Sequence, residues 1–258
     1  MPRTATGRAI IADPRNDENM MIAGLHAAFL LFHNRAVDRV RANGTAPDRV
    51  FAEARKLTTW HYQWIVLHEV LPSFIGQAMV DDILRRGRIF RRDEDDVAIP
   101  VEFQGAAYRF GHSMVRPSYR ANLHGDRGAP FFGLVFDPAG EGQPDPIDLR
   151  GGARAPRRFI GWQTFFDFRD GEVKPRKRID TTISTPLFNL PLGAIADGTR
   201  PTALPQRNLL RHITWSLPSG QRVAEFMRVP VLSPGDLSEL SRYRLGLERS
   251  TPLWYYVL

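Results

Sequence analysis

"YRFGHSMVRP", residues 108–117, sets a histidine behind a glycine in an apolar run, with an arginine three residues before it and a proline five after it. Helical periodicity from about Val101 to Val115 predicts one helix here, stopped by Pro117, whose ring and missing N–H end regular helix. On that helix Arg109 and His112 lie one turn apart, on neighbouring faces. Taken alone, His112 reads as a core imidazole with its hydrogen bonds met. Its neighbours change that reading.

Working outward, three more segments carry helical patterning. From Glu18 to about Ala42, apolar residues at Ile22, Leu25, Phe29, Phe32, Ala36 and Val40 keep a period near 3.6 until "NG" at 43–44. Pro47 stands where a first helical turn accepts proline, and Val50, Phe51, Ala54, Leu57, Trp60, Trp64, Leu67 and Leu71 continue a stripe as far as Pro72. A shorter helix follows "LPSG" at 217–220, carrying Val223, Ala224 and Phe226. Between Pro117 and Pro205 prolines and glycines crowd, which predicts extended connections with one short helix around 159–168. The expected fold class is mainly α, with long Pro/Gly-rich connections.

A chain of 258 residues, 43% hydrophobic and 10% aromatic, can bury a sizeable core. It has no cysteine, which excludes disulfides, thiolate metal sites, iron–sulfur clusters and a cysteine nucleophile. The first residues hold no apolar stretch of signal-peptide length, and the longest apolar run, "AAFLLF" at 27–32, is too short to cross a bilayer. The compartment is left open. A net charge of +7 fits an anionic partner, but only Lys56, Lys174 and Lys177 among the 35 basic residues are lysine, a bias that base composition alone produces. The basic run "KPRKR" at 174–178 reads as a solvated loop without the aromatic interleaving of a single-strand binder, so nucleic acid is not the expected partner. No phosphate-loop or dinucleotide glycine pattern is present.

Chemistry must come from histidine, arginine and carboxylates. His26 and His33, and again His61 and His68, are seven apart; metal pairs on one helix sit three or four apart, so these four read as core or surface imidazoles. His124, in a glycine-bearing loop, and His212, beside Arg211, have no informative spacing.

The opening stretch resembles the proximal-histidine helix of animal-type haem peroxidases, whose pattern is aromatic, Arg, aromatic, Gly, His, a small polar residue, then Pro five after the His. "DPRNDENMMIAGLHAAFLLFHNR" (13–35) resembles the same family's distal arginine segment, and "FAEARKL" (51–57), "YQWIVLHEVLPSFIG" (62–76) and "RNLLRHITWSLPSG" (207–220) match further blocks in the right order. The wording is closest to the bacterial, peroxidasin-like members.

The resemblance implies a helical haem-peroxidase core holding haem b. His112 would be the axial iron ligand, Asn208 the acceptor for its other ring nitrogen, and Arg109 and Arg211 the partners of the haem propionates. Arg15 would be the catalytic cation that stabilises charge developing as the O–O bond breaks. Glu18 matches the carboxylate that forms an ester to haem in mammalian members, while Asn19 stands where myeloperoxidase has a haem-linked methionine. From the residues alone, Arg15 and Glu18 also read as a helix-entry pair with Asp13 or Asp17 as cap. The implied reaction is reduction of hydrogen peroxide with oxidation of a small donor. Two other readings are a fatty-acid dioxygenase of the same fold and a non-catalytic remnant. Dioxygenases carry a tyrosine three residues before the proximal histidine; that position is Arg109, with Tyr108 four before. The family's upstream His-Asp motif and calcium loop have no counterpart here, so residues 1–258 are expected to be one haem-peroxidase domain truncated at both ends.

Overall fold

Asn19 begins the first long helix, its side-chain oxygen accepting from the N–H groups of Met21 (2.9 Å) and Ile22 (3.4 Å). The computed structural model describes residues 1–87, 98–123 and 131–258. The chain forms two compact units, Met1–Asp93 with Gly151–Ala153, and Glu94–Arg150 with Arg154–Leu258. His124 lies outside the described residues.

In the first unit, a 3-10 turn at Pro14–Asp17 precedes helix α1, Met20–Ala42. The helix starts two residues later than its periodicity predicts, because Asn19 holds the extended backbone of a cap. It ends at Asn43–Gly44 as expected, with Gly44 at φ +78°. Helix α2, Val50–Ile65, returns antiparallel, and Ala36, Val40, Val50 and Ala54 form the buried seam. Rings extend the contact, Phe29 against Tyr62 and Phe32 against His61, each at 5.1 Å. By length and composition α1 is long and apolar enough to cross a membrane, as core helices of soluble proteins and signal sequences also are.

Pro72 does not end the second helical run. A π-turn at Val66–Val70 leads into α3, Leu71–Ile75, and the helix stops at Gly76. The wider turn, with the Leu71 N–H on the Val66 carbonyl, relieves the clash that a proline ring makes with the carbonyl four residues back. A further helix, α4 at Gln77–Arg86, was not foreseen. Gly151 ties back to the start of the unit: its N–H donates to the Glu18 carbonyl at 2.7 Å, and a Cβ there would lie 1.3 Å from the Asp17 carbonyl oxygen. Only glycine fits so close an approach.

In the second unit, the single helix predicted over 101–115 is broken into three pieces. Helix α5 spans Val101–Gly105, a 3-10 turn spans Ala107–Phe110, and α6 spans Gly111–Met114, with the break at Ala106 (φ −133°, ψ −64°). Packing fixes the break. A Cβ on Gly105 would meet the Trp215 ring at 2.8 Å, Ala106 is buried against Leu217, Leu253 and Trp254, and the Trp254 indole N–H donates to the Arg109 carbonyl at 3.0 Å. Strands β1 (Ser118–Arg120) and β2 (Phe131–Gly133) pair antiparallel. Beside them Arg158, with no exposed surface, donates to the carbonyls of Pro146, Asp148 (2.8 Å) and Arg150 (2.5 Å) and lies over the Phe132 ring. The short helix expected around 159–168 is one 3-10 turn, Trp162–Thr164. Helix α7, Leu204–Thr214, begins with Pro205 in its first turn; α8, Gly220–Met227, is capped by Ser219; α9 is Leu253–Tyr256. The architecture is mainly helical.

Candidate functional site

His112 sits on α6, a helix of one turn, too short to hold itself. Its neighbours hold it instead. The Ser113 hydroxyl donates to the Phe110 carbonyl (2.9 Å), the Ser184 hydroxyl to the Val115 carbonyl, and the Lys177 ammonium to the carbonyls of Ser113 and Thr182. A cation at the carboxyl end of a short helix meets carbonyls that have no partner within the helix. The run "KPRKR" is a loop exposed at Lys174, Pro175, Arg176 and Arg178, as expected, and only Lys177 turns inward. Arg116 also donates to the Lys174 carbonyl at 3.0 Å, tying this run to the backbone just after α6.

Ninety-six residues further along the chain, α7 brings Asn208 to the imidazole. The Asn208 amide nitrogen is 2.8 Å from His112 Nδ1, and Arg211, one turn on, donates to Asn208 Oδ1 at 3.0 Å. Asn208 is 1% exposed. A guanidinium only donates, so the amide oxygen must face Arg211 and the amide NH2 must face the ring. The hydrogen bond thus runs from Asn208 to Nδ1, opposite to the direction implied by the resemblance.

Burial, with the charges of Arg109 and Arg211, lowers the His112 pKa from 6.5 to about 4, so the ring is neutral at neutral pH. Burial likewise lowers the pKa of Arg211, with Arg109 and Arg207 adding repulsion. Arg207 pairs with Asp197 at 2.9 Å, whereas neither Arg109 nor Arg211 has an ion pair among the described residues. Arg109 donates to the Gln104 carbonyl at 3.1 Å. A neutral imidazole beside two guanidiniums that have no carboxylate partner among the described residues suits a ligand that offers both a metal and anionic arms.

Gly111 supports the same conclusion. A Cβ built there meets nothing within 4 Å, and its φ of −55° is open to any residue. Neither helix packing nor backbone conformation requires glycine at this position. A ligand lying close to the helix would.

Arg15 and Glu18 belong to the first unit, and the other four candidates to the second. Arg15 is 82% exposed in its side chain and donates through Nε (2.9 Å) and Nη2 (2.5 Å) to Asp13, which also caps its N–H. Those hydrogen bonds lower the Asp13 pKa to about 2. Glu18 is exposed. The helical histidines make ring contacts: His33 with Phe51 (5.6 Å), His61 with Phe32, and His68 with Trp64 (4.9 Å). His26 lines an apolar groove of about 380 Å³ with Ile22, Phe29 and Tyr62. No group of three or more histidines and carboxylates arranged for a metal occurs among the described residues. Sequence reasoning missed Lys177 and Trp254, whose bonds to backbone carbonyls leave no local pattern.

The whole chain superposes on Peroxidase A from Dictyostelium discoideum with a TM-score of 0.54 at 18% identity, covering 48% of that chain. The fold is that of a haem peroxidase. Residues 3–131, half of the chain, match the animal haem peroxidase family, and the chain belongs to that family. It is 34% identical over 140 residues to Peroxidase mlt-7 of Caenorhabditis elegans and 30% identical over 167 residues to human eosinophil peroxidase. These matches cover 50% and 58% of this chain, but only 19% and 22% of the two relatives. The chain spans about a fifth of the length of these relatives.

Proposed function

We propose that this chain is the proximal, haem-holding part of a haem peroxidase, within one domain that includes residues 1–258. The observation that carries the reading is the line His112, Asn208, Arg211 beside the unfilled face at Gly111. His112 would hold iron through Nε2, the ring nitrogen that Asn208 does not engage. Arg109 and Arg211 would pair with the propionates; neither has a carboxylate partner among the described residues, and a forked guanidinium matches a carboxylate. Arg15, in an exposed turn, would exchange Asp13 for the departing oxygen of hydrogen peroxide, and Glu18 would be the carboxylate that forms any ester to haem. When bound, haem supplies the two-electron reduction of hydrogen peroxide, and a small reducing donor returns the electrons. The protein's part is to orient the ligand, fix its carboxylates and keep the imidazole uncharged. Arg109, where dioxygenases carry tyrosine, favours a peroxidase over a fatty-acid dioxygenase.

Haem titration of the full chain and of His112→Ala tests the reading. The wild-type chain should shift the Soret band as an imidazole-ligated haem does, and the variant should not. An identical shift in both removes His112 as ligand.

A further inference from the structure

Arg211 has two possible partners that it cannot serve in the same way. As found, it donates to Asn208 Oδ1 at 3.0 Å, and Asn208 Nδ2 donates to His112 Nδ1 across 2.8 Å. A ring nitrogen that accepts a hydrogen bond carries no proton, so the neutral imidazole holds its proton on Nε2. Iron needs the lone pair of that same nitrogen. Ligation therefore moves the ring to the Nδ1–H form, in which Nδ1 must find an acceptor. Asn208 can supply one only by turning its amide over, and this would set its NH2 against the guanidinium, donor to donor. Arg211 has to leave first. A carboxylate gives it cause to leave, since a hydrogen bond between two ions is roughly twice as strong as one to a neutral amide.

We propose that Arg211 is a positioning residue acting through Asn208. While it donates to the amide oxygen, it holds His112 in the Nε2–H tautomer. Its transfer to a carboxylate of the incoming ligand frees the amide to turn, accept from Nδ1–H and leave the Nε2 lone pair free. One proton leaves Nε2 for solvent and one is taken up at Nδ1, so the ring's charge is unchanged. Asn208 is almost fully buried, so water cannot take over as acceptor and the amide has two orientations to choose between. The ligation half of this inference rests on the proposed function; the tautomer half does not.

Long-range ¹H–¹⁵N spectra of the haem-free full chain with ¹⁵N-histidine test it, the His112 signals being those lost in His112→Gln. At neutral pH the wild type should show Nδ1 unprotonated and Nε2 protonated. Arg211→Met should raise the Nδ1–H share about tenfold, the worth of one charge-assisted hydrogen bond, and Arg211→Lys, which keeps a donor, should restore the wild-type pattern. Asn208→Asp, whose carboxylate can only accept, should protonate Nδ1 even with Arg211 in place. Nδ1–H in the wild type, an unchanged Arg211→Met spectrum, or an unprotonated Nδ1 in Asn208→Asp would each overturn the inference. Haem that binds this chain without His112 would instead defeat the proposed function and leave the tautomer result standing.

Discussion

The His112 imidazole is neutral because burial and two guanidiniums oppose its charge, and this makes it a liability in acid. Its pKa is lowered from 6.5 to about 4 in the fold. Between those two pH values the unfolded chain binds the additional proton, so stability rises with pH across the window and is lost as pH falls from about 6.5 to about 4. The loss should approach about 3 kcal/mol. Urea unfolding of the haem-free chain measured across this range should show that slope, and His112→Gln should remove most of it. A variant with the wild-type slope would mean that His112 is not the buried neutral group. The sequence pointed to His112 through its block, but not to the direction of its hydrogen bond. That direction depends on Arg211, one turn beyond Asn208, having no acceptor atom to offer.

Helix breaks were harder to read than helix faces. Periodicity marked residues 101–115 as one element because it reports which positions are apolar; the break at Ala106 comes from Trp215 and Trp254, more than a hundred residues away. Pro72 misled in the other direction, since a π-turn absorbed a residue that usually ends a helix. Two glycines in the same region separate packing from ligand approach. Gly105→Ala places a methyl 2.8 Å from the Trp215 ring and should cost roughly 1–3 kcal/mol of stability. Gly111→Ala has open space and helical backbone, so it should melt no lower than wild type, yet it should weaken haem binding by about tenfold if the macrocycle lies against it. Thermal melts and haem titrations of the two variants check both halves. Full haem affinity in Gly111→Ala would mean that the ligand does not approach that face.

Across the chain, what the sequence carried was the order of its blocks. His112 and Asn208 are 96 positions apart, and no period or spacing connects them; only the resemblance named them as a pair, and they lie within hydrogen-bond distance. The residues that brace the site were hidden for a physical reason. Lys177 and Trp254 act on backbone carbonyls, which every residue has, so their partners leave no mark in the sequence. The matched regions cover about a fifth of the curated relatives, so haem ligation by this chain is the claim on which the others rest. Resonance Raman of the ferrous, haem-loaded chain tests it through the iron–imidazole stretch. The band should be present in the wild type, absent in His112→Gly, and regained when free imidazole is added to that variant, with circular dichroism showing the helices intact in both. A band that persists in His112→Gly without imidazole would contradict ligation through this histidine.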